Sequence, residues 1–116
     1  MIEATVKLYF ITPYRVATLA KSIEFIVLPR IREYVSVFFR ELGYSSAYTV
    51  VLVNHYENGV PEILLYEATN KEGKSVYRFL EDSKLEEYLE MYKGAGWIVE
   101  TIRRNIEYID GSPIWQ

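Results

Sequence analysis

Cysteine is absent from this chain of 116 residues, and histidine and glutamine each occur once. The missing thiols exclude disulfides, thiolate metal sites and cysteine nucleophiles together. One histidine, His55, among dispersed carboxylates gives no ligand set of the spacing a metal site needs, so neither a metal nor a cofactor is expected. Long apolar runs are missing as well. The best candidate, Val16 to Leu28, is interrupted by Lys21 and Glu24 and is too short for a bilayer core, so no membrane partner is expected. The start, Met-Ile-Glu-Ala-Thr-Val-Lys, lacks the basic stretch and apolar run of a secretory signal, which points to a cytoplasmic protein. Four asparagines and one glutamine beside many Glu, Ile, Val and Tyr residues form a thermophile-like bias. That bias speaks of habitat and not of activity.

What is present suffices for one core. Half of the residues are hydrophobic, and the length fits one α+β domain spanning 1–116. The net charge of −3 is unevenly spread: residues 1–56 carry six Lys/Arg against four Asp/Glu, and residues 57–116 carry seven against twelve. Overall acidity disfavours indiscriminate binding to a phosphate backbone, which needs clustered cations.

Residues 4–11 alternate, with Val6, Leu8 and Phe10 on one face and Thr5, Lys7, Tyr9 and Ile11 on the other, and read as a strand. Thr12-Pro13 has the form of a helix start. Apolar residues at 16, 19, 20, 23, 26 and 27, then at 31, 34, 35, 38 and 42, continue a helical period to Gly43. Pro29 should kink it near 27–29, giving helical segments 13–27 and 30–42. The competing reading makes residues 23–28 a short strand, because they are β-branched and aromatic.

The run 48–69 reads as two strands, 48–54 and 61–68, around a loop with Asn58-Gly59. Four consecutive apolar residues, Val50 to Val53, suggest cover on both faces. A short strand over 76–80 follows, and Asp82 or Ser83 is placed to cap a helix through Lys93, with Leu85, Tyr88, Leu89 and Tyr92 on its buried stripe. Residues 97–103 are expected to form the last strand, although Ile98, Ile102, Ile106 and Ile109 also fit a helical spacing, and the tail from Asp110 a turn. The expected architecture is a mainly antiparallel sheet of about five strands with helices packed on one face. Its order, β-α(kinked)-β-β-β-α-β, resembles an elaborated split βαβ, or ferredoxin-like, arrangement at the level of topology.

Several residues could carry chemistry. His55 can serve as a general acid or base with Glu57 or Asn54 orienting its ring, although no nucleophile or oxyanion motif accompanies it and an exposed turn residue is the plainer reading. Arg15, Arg30 and Arg32 can hold an anion, but residues 30 and 32 cannot share one helical face. Glu81, Asp82, Glu86, Glu87 and Glu90 fit a solvated helix face. The eleven tyrosines are the outlier. Aromatics on a sheet face can stack bases or form a protein interface, and Tyr9, Ile11, Val51, Val53 and Tyr66 are the candidate interface residues. The sequence therefore favours a noncatalytic interaction module, a homodimer that binds a protein partner. The alternative is a nucleic-acid or nucleotide binder, or a phosphodiester-cleaving protein, that uses His55.

Overall fold

The computed structural model describes residues 1–40, 42–57, 59–66 and 81–105. Six strands appear in chain order: β1 (Ile2–Ile11), β2 (Arg15–Phe25), β3 (Tyr34–Phe39), β4 (Tyr44–Asn54), β5 (Glu62–Tyr66) and β6 (Ile98–Arg104). One α-helix, α1 (Leu85–Gly94), follows a 3-10 turn at Asp82–Lys84. The strands form one sheet of order β3-β4-β5-β1-β2-β6. β5 lies parallel to β1, and every other neighbouring pair is antiparallel. This mixed six-stranded sheet with a single short helix among the described residues replaces the expected antiparallel sheet of about five strands carrying several helices. The expected strand over 76–80 and the tail turn lie outside the described residues.

The two helical segments expected over 13–27 and 30–42 are strands. In β2 the buried residues alternate between faces: Ala17 and Leu19 pair with Phe10 and Leu8 on the side of α1, whereas Val16 and Ala20 are buried on the other side. A strand buried on both faces places apolar residues at 16, 17, 19 and 20, which also satisfies a helical spacing. β3 has a strict period of two, with Val35, Val37 and Phe39 buried and the residues between them exposed. The helical count joined Tyr34, Val35 and Phe38 across both faces and passed over Val37 and Phe39. Pro29 falls in the connection between β2 and β3, where its missing amide costs no ladder bond.

Thr12-Pro13 starts no helix. Thr12 Oγ1 accepts the amides of Tyr14 (3.1 Å) and Arg15 (2.9 Å), and the Thr12 amide donates to the Arg15 carbonyl at 2.8 Å. The capping chemistry is present, but it closes the β1–β2 hairpin turn. Asp82 and Ser83 do not cap α1 either, since no side-chain cap bond forms at its start.

Nor does the Val50–Val53 run demand cover on both faces. A register shift between Val50 and Leu52 makes Val50 oppose Leu65 and Val53 oppose Ile63, both on the α1 side. The extra residue of a bulge lets residues three apart share a face, and Leu52 is left 46% exposed.

The core joins one sheet face to α1. Val6, Leu8 and Phe10 of β1, Leu19 of β2 and Ile63 and Leu65 of β5 meet Leu85, Leu89 and Tyr92 of α1, with Trp97 beside them. The Tyr92 ring lies 4.8 Å from Phe10 and 4.8 Å from Phe39, edge-on to both. β1 and β3 are three places apart in the sheet, a flat separation of about 14 Å. One ring can touch both because the sheet curls around the helix. The Tyr92 hydroxyl also hydrogen-bonds that of Tyr48.

Leu8 is 1% exposed at the centre of this face. Leu8→Ala is expected to destabilise the fold by about 2–5 kcal/mol, measured as a lower urea midpoint with an unchanged slope.

Candidate functional site

The densest polar constellation gathers where the β1–β2 turn meets the start of α1. The Arg15 guanidinium donates from Nε to Asp82 Oδ1 at 3.0 Å, and from Nη2 to Asp82 Oδ2 at 3.2 Å and to the Asp82 carbonyl at 3.0 Å. Its Nη1 donates to Glu86 Oε1 at 2.6 Å. The Thr12 hydroxyl donates to Asp82 Oδ1 at 2.6 Å. Behind them the buried Asn105 donates from Nδ2 to the Thr12 carbonyl and from its amide to the Tyr14 carbonyl, both at 2.8 Å. The turn, the helix start and the end of β6 are thereby held together.

Each charge in this group is shifted by its neighbours. Hydrogen bonds from Arg15, and then from Thr12, hold the Asp82 carboxyl below its ordinary range. Arg15, and then its own backbone amide, do the same for Glu86. Glu86 and Asp82 in turn raise the guanidinium. With two carboxylates around it, Arg15 has four of its five donors committed and its charge neutralised. The arrangement is suited to fastening two elements. As the first of the three expected anion-binding residues, Arg15 faces carboxylates of its own chain.

Arg30 and Arg32 lie in the connection before β3. Arg30 has an 85% exposed side chain whose Nε is 3.6 Å from Glu33 Oε1. Arg32 is exposed, with a left-handed backbone (φ 77°), and its amide donates to the Val50 carbonyl at 2.8 Å. No contact joins these two arginines to Arg15 among the described residues.

His55 is exposed in the segment after β4. Among the described residues no hydrogen bond or ion pair links it to Asn54 or Glu57. Asn54 instead donates to the Tyr56 hydroxyl at 3.4 Å, a long contact. The acidic residues of α1 and its approach divide between partners: Glu81 with Lys84, Glu90 with Lys93, and Asp82 and Glu86 with Arg15. No group of three or more histidines and carboxylates that could hold a metal occurs among the described residues.

Of the candidate interface residues, Tyr9 and Ile11 lie on the sheet face away from α1, whereas Val53 lies on the α1 side. Tyr9 is half-buried, and Ile11 on the same strand face is 6% exposed. Val51 sits at the bulge of β4, and Val53 packs against the core on the α1 side. Tyr66 is the last residue of β5. Exposed apolar surface that the sequence reading missed lies on β3, where Tyr34 is 63% and Phe38 72% exposed. The alternation Tyr-Val-Ser-Val-Phe-Phe was the signal that could have found it.

A groove of about 820 Å³ runs between the end of β3 and the second half of α1, with Phe39, Leu42 and Met91 beside Lys21, Arg40 and Glu87. Lys21 Nζ donates to the Ala95 carbonyl at 2.7 Å, so this cation closes the helix end. The groove's mixture of signs selects no ligand class. No described helix is long and apolar enough to cross a membrane. No family model matches the chain, and neither a curated protein nor a solved structure does.

The fastening role of Arg15 carries a pH signature. Asp82 and Glu86 release their protons more readily folded than unfolded, so their contribution is complete above the unfolded carboxylate range and is lost as pH falls through their depressed folded values. Arg15→Gln should lower the urea midpoint most near neutral pH, and the gap from the native protein should narrow toward about pH 2. A gap that is constant across that range would show that the two carboxylates do not act through Arg15.

Proposed function

We propose that this chain is a noncatalytic interaction module that acts as a homodimer and presents a surface to a protein partner. The observation that carries the reading is Phe38, an aromatic side chain 72% exposed on the uncharged strand β3. Soluble chains seldom leave large aromatic surface exposed unless it meets something. The acid–base candidates add support of the opposite kind. Arg15, Asp82 and Glu86 are consumed by one another, and His55 stands apart from them among the described residues. A phosphodiester-cleaving site would need His55 beside an arginine that can still take a phosphate.

Light scattering over a concentration series tests the proposal. The native protein is expected to rise from 13.6 kDa toward twice that mass, and a strictly monomeric species at high concentration would sink the homodimer. His55→Ala should leave the association unchanged, which separates this reading from one that depends on the imidazole.

A further inference from the structure

We infer that two copies of this chain meet through the connection between β2 and β3, residues 26–33, with Arg32 of each copy set against Glu24 of the other. This rests on the homodimer reading and names its contact, leaving Phe38 to the protein partner. The connection leads between strands that lie four places apart in the sheet. Leu28 turns inward and packs against the core, while Ile26, Val27 and Ile31 are left 84%, 75% and 55% exposed. Branched aliphatic side chains exposed this closely along one connection form the apolar centre of a contact surface.

The two ends of the connection carry opposite charges, and each is locally unfavourable. At the β2 end Glu24 stands directly opposite Glu3 of β1, and like charges in a cross-strand pair repel. Ser22 donates its hydroxyl to Glu3 Oε1 at 2.8 Å, but no cation pairs with either carboxylate among the described residues. At the β3 end the Glu33 amide donates to the Arg30 carbonyl at 3.0 Å and closes a turn in which Arg32 holds φ 77°, a left-handed backbone that favours glycine. The Arg32 side chain is exposed and makes no hydrogen bond or ion pair among the described residues. Glycine would complete this turn without strain, so what arginine adds there is its guanidinium.

These charges choose the occupant. A surface with an apolar centre, acid at one end and base at the other is complementary to itself. A two-fold axis through the centre carries the acidic end of each copy onto the basic end of its partner. Each Arg32 then reaches a pair of carboxylates that repel one another, and Ile26, Val27 and Ile31 pack against their counterparts. An anionic lipid surface would accept the aliphatic residues and Arg32, but it would repel Glu3 and Glu24 beside them. Exposed charge pairs around a small apolar centre make a weak dimer that loosens as salt rises.

Charge exchange tests the contact by light scattering. Arg32→Glu and Glu24→Arg are each expected to raise the concentration at half-association about tenfold or more, because both symmetry-related contacts become repulsive. Arg32→Glu and Glu24→Arg combined in one chain should associate like the native protein, a rescue that a purely structural role for either residue does not give. Arg32→Gly should weaken association while the monomer unfolds at a higher temperature, since the left-handed strain is relieved. If the native protein dimerises but both single variants associate like it, or if the combined variant fails to recover, this contact is overturned and the homodimer stands. If the native protein is monomeric throughout, the homodimer reading itself falls. Cosedimentation of the native chain with phosphatidylserine vesicles, lost in Val27→Asp, would give the surface to a lipid and overturn the second copy.

Discussion

The structure depends on the curl of its sheet around Tyr92. A ten-residue helix is about 15 Å long, whereas six flat strands span about 24 Å. Laid on a flat sheet, α1 would leave the apolar faces of the outer strands in water. Tyr92 touches Phe10 and Phe39 with one ring and reaches Tyr48 with its hydroxyl, so strands β1, β3 and β4 converge on a single side chain. The same curl brings Lys21 of β2 and Phe39 of β3, four places apart, to the walls of one groove.

The helix is fixed at both ends, by different physics. At its start, Asp82 and Glu86 hold Arg15 of the adjoining hairpin; at its finish, Lys21 donates to the Ala95 carbonyl. Acidic groups at the first turn and a cation at the last both complement the helix dipole. The polar end is sensitive to acid and salt because its charges are partly solvated, whereas the Tyr92 end rests on buried rings and is not.

Local pattern made part of this fold legible. The alternation of Thr5 to Ile11 and the stripe Leu85-Leu89-Tyr92 each specify their element within a few residues, whereas the isoleucines after Gly96 fit a strand and a helix alike and only the fold selects β6. Residues 13–42 were not legible, because β2 is buried on both faces and a doubly buried strand imitates a helical period. The bulge in β4 hid in the same way, as four apolar residues in a row carry no phase. Arg15 could not be assigned from sequence at all: its partner Asp82 is 67 residues away, and nothing local distinguishes a structural guanidinium from an anion-binding one. His55 was visible as a residue type, but its isolation from Asn54 and Glu57 is a property of the folded chain.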